Sequence, residues 1–110
     1  MTDYHLPAIS AEDALAAMAD GAVLLDIRKP KARAEAGQTI AGALARDPFA
    51  FSHDDPLTET EAPVVVFCVA GHEVSQFACA LLLLHGRDAR YVVGGYNALV
   101  AAGAPLVALD

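Results

Sequence analysis

The chain has 110 residues, 55% of them apolar and 19% charged, with seven Lys and Arg against fourteen Asp and Glu and a formal net charge of −7. That size allows one domain, taken as residues 1–110, and the apolar fraction is too high for a disordered chain. An acidic surface repels nucleic-acid phosphates and anionic lipid, so neither is an expected partner.

No stretch approaches the roughly 18–20 apolar residues of a bilayer span, and the longest candidate, Phe77–Leu84, reads as the core of a helix. Met1–Pro7 has no basic segment leading into an apolar one, so no secretory signal is expected. Two cysteines, Cys68 and Cys79, do not make a disulfide framework; reduced thiols in a cytoplasmic protein are the expectation.

Ser10-Ala11-Glu12-Asp13 predicts a helix start, with a serine cap and acidic residues in the first turn. Ala14, Leu15, Ala17 and Met18 continue it as an apolar stripe, and Asp20-Gly21 ends it. Ala22–Ile27 is an apolar run interrupted only by Asp26, as expected of a strand buried on both faces. Pro30–Ala36 predicts a short helix, with Pro in its first turn and Gly37 beyond its end. Ile40–Leu44 reads as a second strand, Asp54-Asp55-Pro56 as a turn and Thr58–Pro63 as an acidic connector.

Val64–Cys68 is the clearest strand signal, β-branched and continuous. A short loop, Val69–Glu73, leads to an almost wholly apolar helix from Val74 to His85, expected to be largely buried and stopped by Gly86. Arg90–Val93 predicts a strand, Gly94-Gly95 a turn, and Tyr96–Ala102 a last helix ended by Gly103 and Pro105. Strands alternating with helices predict an α/β fold, a small, mainly parallel central sheet with helices on both faces.

Cys68 falls where a buried strand gives way to a Gly-containing loop and a helix. Open α/β sheets bind ligands at the carboxyl ends of their strands. Backbone amides of such a loop, from Val69 through Ala70, Gly71, His72, Glu73 and Val74 to Ser75, can form an anion cradle above the helix start. An unperturbed thiol, with a pKa of about 8.5, is only about 3% thiolate at pH 7; lowering that value by about two units takes roughly 2.7 kcal/mol. Loop amides and a helix terminus can supply much of it. The competing reading is a cysteine packed as a small hydrophobe.

Three stretches resemble the single-domain rhodaneses, sulfurtransferases that carry sulfane sulfur as a cysteine persulfide. Asp26-Ile27-Arg28-Lys29-Pro30 with Ile40-Ala41-Gly42-Ala43 is similar to the family's first signature. Cys68–Glu73 resembles its six-residue active-site loop. Gly94–Leu99 with Ala102–Leu106 resembles its closing signature. The resemblance implies a rhodanese-like fold over nearly the whole chain and a persulfide-forming Cys68. It also implies a small sulfane-sulfur donor and a thiol or cyanide acceptor, a protein acceptor included.

The departures concern charge. Thr39 stands where the family often has His, Ala41 where it often has Pro and Tyr96 where it usually has Trp; these read as structural replacements. Val69 stands at a position that is usually basic, and Glu73 where the family usually has Arg. In thiosulfate-using members those cations help to bind the dianion and to stabilise thiolate. At about 6 Å and an effective dielectric of about 20, a carboxylate at 73 repels a thiolate by roughly 2–3 kcal/mol. His72 offsets part of this if it is protonated or donates a hydrogen bond. Weak turnover with thiosulfate is the expectation. Gly71–Gln76 is also similar to a variant loop of rhodanese-like proteins associated with bacterial chromate resistance, which implies a thiol or metal-stress role.

Other residues are read against simpler alternatives. Cys68 and His72 could supply two metal ligands, but stable zinc sites use four and no second pair stands at suitable spacing, so no metal and no cofactor is expected. Cys79 reads as packed within its helix, with a resolving role toward Cys68 as the alternative. Ser75 reads as a helix cap that can also line the cradle. Asp26 and Arg28 read as an ion pair tying loops together, and Arg46 as a candidate to bring positive charge over the loop. His5, His53 and His85 read as solvated or helix-terminal. Besides sulfur transfer, a non-catalytic rhodanese-like module that binds a partner or senses oxidants remains open. A cysteine phosphatase or arsenate reductase needs an Arg clamp that this loop lacks.

Overall fold

The computed structural model describes residues 6–47, 61–70, 73–84 and 86–109, Glu73 by its backbone alone. In chain order these form β1 (Ala8–Ile9), α1 (Ala11–Ala19), β2 (Val23–Asp26), α2 (Pro30–Ala36), β3 (Gln38–Ile40) and β4 (Leu44–Ala45). There follow β5 (Val64–Phe67), α3 (Glu73–Leu84), β6 (Ala89–Val92), α4 (Gly95–Ala101) and β7 (Leu106–Ala108).

Five strands form one sheet in the order β1-β6-β5-β2-β4, every neighbouring pair parallel. Parallel neighbours need a crossover between them, and α3 supplies the one from β5 to β6. Successive side chains leave a strand on opposite faces, so each apolar run feeds two cores. Leu24, Val65, Phe67 and Val92 join Ala11, Ala14 and Leu99 on the face covered by α1 and α4. Leu25, Val64, Val66 and Ala89 join Ala78, Cys79 and Leu82 of α3 on the other.

The predicted helix ends are seen. Ser10 Oγ accepts from the Asp13 amide at 3.1 Å, and Pro30 opens α2 while Gly37 closes it in the left-handed region. The predicted strand Ile40–Leu44 is instead two elements. Only β4 joins the main sheet; β3 pairs antiparallel with β7 in a separate ribbon. Between them the Ala41 amide donates to Pro105 O at 2.8 Å, a bond a proline at 41 could not make. α3 is also less buried than its composition predicts. Ala78, Cys79 and Leu82 face the sheet, while Phe77 and Leu84 are 58% and 83% exposed. The predicted turn at 54–56, His5, His53 and His85 lie outside the described residues, as does the start of the acidic connector.

Candidate active site

β5 is the middle strand of the sheet, and all four of its residues are buried. Val66 lies between Leu25 of β2 and Tyr91 of β6, and the Ile27 amide carries the pairing one step further by donating to Phe67 O at 3.0 Å. Cys68 therefore leaves the sheet at its carboxyl edge, beside Ile27 and Arg28. The carbonyls of Cys68 and Val69 accept from the amides of Tyr96 (2.7 Å) and Asn97 (3.2 Å) in the first turn of α4. Those amides have no partner within their own helix, so the helix start and the loop satisfy each other.

The turn that makes this possible needs Gly94, at φ +80°, where an added Cβ would stand 2.7 Å from that of Ala98. The Cys68 side chain is 6% exposed and lies among Leu25, Ile27 and Val66. It is not left in hydrocarbon alone, because its Sγ is 3.2 Å from the Oγ of fully buried Ser75. A neutral thiol donates in that pair; toward a thiolate the hydroxyl donates instead.

A second cluster braces the same edge. Asp26 Oδ1 accepts from the Arg28 amide (3.1 Å) and Nε (3.0 Å). Its Oδ2 accepts from Arg28 Nη2 (2.8 Å), Thr39 Oγ1 (2.8 Å) and Arg33 Nε (3.2 Å). Arg28 Nη2 also donates to Gln38 O at 2.8 Å, and its guanidinium lies 4.2 Å from the Tyr96 ring centroid. Asp26 and Arg28 are both almost fully buried. Burial disfavours the ionised carboxyl, yet the hydrogen bonds from Arg28 and Thr39, with the charge of Arg28, outweigh it and hold Asp26 below 3.8. Cys79, fully buried without such partners, is pushed by desolvation up to about 11.

Between α2 and the start of α3 opens a cleft of about 580 Å³, lined by Arg28, Lys29, Ala32, Cys68, Val69, Ala70, Val74 and Gln76. The nucleophile candidate thus meets a ligand-sized space at the carboxyl edge of a parallel sheet, where such folds bind.

The family model described as Rhodanese-like domain matches residues 10–102. The chain belongs to the rhodanese-like domain family. It is 40% identical over 87 residues to the thiosulfate sulfurtransferase GlpE of Pseudomonas entomophila, an alignment covering 79% of this chain and 77% of that protein. A rhodanese-related protein from Thermoplasma volcanium shares the fold at TM-score 0.77 and 23% identity, over 92% of this chain and 97% of that one. The rhodanese-like domain of an Anabaena protein does so at TM-score 0.75 and 22% identity, over 94% and 80%.

Within this rhodanese-like domain, Val69, Ala70 and Val74 line the cleft with Cys68. Ser75 is no helix cap. It is the third residue of α3, buried against the sulfur. Gly71, His72 and the side chain of Glu73 lie outside the described residues, so the pairing of Cys68 with His72 as ligands does too. Arg46 does not line the cleft. It follows edge strand β4, its Nη1 donates to Ala45 O at 2.9 Å, and it borders a separate depression with Arg28, Pro30, Arg33 and Asp47. The cation that sequence reasoning missed is Lys29, exposed and lining the cleft. The available signal was adjacency: β2 and β5 are parallel neighbours, so the residues after each must meet.

Proposed function

We propose that this chain is a sulfurtransferase that carries sulfane sulfur as a persulfide on Cys68, with thiosulfate a slow donor. The observation that carries this reading is a cysteine at the end of the central strand whose sulfur is paired with a buried hydroxyl and opens on a cleft. The relative named as a thiosulfate sulfurtransferase supports the same class.

In the first half-reaction the Cys68 thiolate attacks the outer sulfur of thiosulfate. The new S–S bond forms on Cys68 as the old one breaks, and sulfite leaves with the electron pair. In the second, an acceptor thiolate or cyanide attacks the terminal sulfur, and the Cys68 thiolate leaves. The Ser75 hydroxyl donates to the sulfur whenever it is anionic, before attack and after release.

Glu73 and Val69, where thiosulfate users commonly carry cations, reduce the pull on a small dianion. Intact mass spectrometry tests the reading: incubation with thiosulfate, and separately with glutathione persulfide, adds about 32 Da, one sulfur atom, to the protein. The adduct must vanish in Cys68→Ala. A thiol that takes up sulfur from neither donor would leave a non-catalytic binding or sensing module, and thiosulfate turnover as fast as that of Arg-bearing relatives would overturn the slow-donor assignment.

A further inference from the structure

The ribbon of β3 and β7 has one open edge. Just beyond its paired residues the Leu109 amide donates to Gly37 O at 3.0 Å and the Ala41 amide to Pro105 O at 2.8 Å. Hydrogen-bonded and non-hydrogen-bonded pairs alternate along an antiparallel ladder, so Val107 exchanges its bonds with Thr39, and the N–H and C=O of Leu106 and Ala108 point away from β3. The outward carbonyls of β3 are taken up within the chain, Gln38 O by Arg28 and Ile40 O by the Ala43 amide. Those of β7 are not: among the described residues no strand or main-chain donor stands beside Leu106 or Ala108. Residues 105–108 are all exposed. Pro105 does not blunt this edge, because the N–H it lacks would have faced β3. The outer strands of the main sheet, β1 and β4, are only two residues each.

Charge says what the edge can accept. The chain carries a formal −7, so two copies repel unless they meet through an uncharged surface. Residues 91–109 contain no charged side chain, the longest such run in the sequence. Four apolar side chains in that run, Val93, Val100, Leu106 and Val107, are exposed. Natural edges are commonly protected by lysines or other charges, and β7 has none.

We infer that β7 is a self-association edge, which pairs antiparallel with β7 of a second copy about a two-fold axis at Val107. The edge is its own complement: the outward groups of Leu106 meet those of Ala108 in the other copy, and the reverse, each pair exchanging both N–H···O bonds. Val107 then stands directly against Val107, a close β-branched cross-strand pair. The ribbons join in the order β3-β7-β7-β3. Strands this short bury less than a permanent interface does, so the dimer is reversible and depends on concentration. The inference does not rest on sulfur transfer.

Sedimentation velocity of the full chain, over a series reaching millimolar concentration, shows the weight-average mass rising from one chain toward two. Val107→Lys and Val107→Glu each set like charges face to face and weaken the dimer about tenfold or more. The two variants mixed in equal amounts associate at least as well as the native chain, because only a contact in which residue 107 meets its own copy turns two losses into a recovery. Ala108→Pro removes an outward N–H, leaves the ladder to β3 intact and also weakens the dimer. Urea unfolding of each variant checks that its fold is kept.

A covalent readout needs no added charge. In a Cys68→Ala background, with Cys79 buried, Val107→Cys closes a disulfide between copies, since directly opposed non-hydrogen-bonded residues stand about 4.5 Å apart at Cα. Leu106→Cys, displaced along the strand from its own copy, does not. A native chain that stays monomeric throughout the series would refute the inference. So would a dimer indifferent to both charges at 107, a mixture of folded variants that fails to recover, or disulfides that form as readily from position 106 as from 107.

Discussion

Asp26→Asn tests whether the buried ion pair holds the carboxyl edge of the sheet together. The native carboxylate accepts five hydrogen bonds, three from Arg28 and one each from Arg33 and Thr39. Asparagine keeps the shape but offers one oxygen, and it turns an NH₂ toward groups that are themselves donors. Arg28 is left charged at 2% exposure with no counter-ion. Breaking a buried pair in this way costs about 3–5 kcal/mol, a large share of the roughly 5–15 kcal/mol that stabilises a domain. Urea unfolding followed by circular dichroism reads the loss.

Arg33→Gln is the control, because its side chain is 32% exposed and such a pair is worth at most about 1 kcal/mol. A loss in Asp26→Asn no greater than in Arg33→Gln would refute the argument. The pH dependence follows from the same carboxyl. Its folded value lies below the unfolded 3.8, so the stability it contributes is fully present above 3.8 and is lost as pH falls below that toward the folded value. Asp26→Asn lacks that acid limb.

Three further outcomes follow from the geometry. Ser75→Ala removes the donor 3.2 Å from the Cys68 sulfur and slows alkylation of Cys68 at pH 7 by about tenfold or more, the worth of a hydrogen bond to a charged group; an unchanged rate makes the hydroxyl a spectator. Cys79, whose folded value stands at about 11 against 9.0, resists iodoacetamide in the native protein while Cys68 reacts. Because the unfolded thiol ionises first, stability falls by about 2–3 kcal/mol as pH rises from 9.0 to about 11, a slope that Cys79→Ala flattens. Gly94→Ala, with φ +80° and Ala98 Cβ at 2.7 Å, costs about 2 kcal/mol or more in urea unfolding from left-handed strain and overpacking together; a loss under about 1 kcal/mol would show that the turn relaxes.

The main sheet was legible at its centre because β2 and β5 are buried on both faces. Leu24-Leu25 and Val64–Phe67 have no polar alternation to confuse them with helix, and each neighbour in the run serves a different core. The ribbon of β3 and β7 had no such signal: all three residues of β7 are exposed, and Gln38 is too. β1 is two residues long and is defined by its pairing with β6 rather than by any period of its own. The exposed side of α3 misled for the opposite reason. Apolarity all round a helix reads as burial, yet a helix laid on one face of a sheet turns only part of its circumference inward. Ala78, Cys79 and Leu82 fill that part, and Phe77 and Leu84 do not.

At the site, chain order alone placed Cys68 at a strand end, since a β-branched run must stop where its loop begins. Sequence reasoning named Ser75 as a helix cap that can also line the cradle, without pairing its hydroxyl with the sulfur. Ser75 is seven residues away in sequence, and the packing of α3 against the sheet brings its side chain back to the sulfur. Charge was misjudged in a more instructive way. The formal net charge of −7 describes the whole chain, and with Val69 and Glu73 in place of the usual cations the sequence offered only His72 and Arg46 to bring positive charge over the loop. Yet five of the seven basic residues, Arg28, Lys29, Lys31, Arg33 and Arg46, fall within one stretch of sequence after β2 begins and before β5. Two of them line the cleft. Fields in a cleft follow the nearest charges within a Debye length of about 8–10 Å, not the total. Among the described residues, the cations that line the cleft beside Cys68 are therefore the two that follow the neighbouring strand, Arg28, paired with Asp26, and the exposed Lys29.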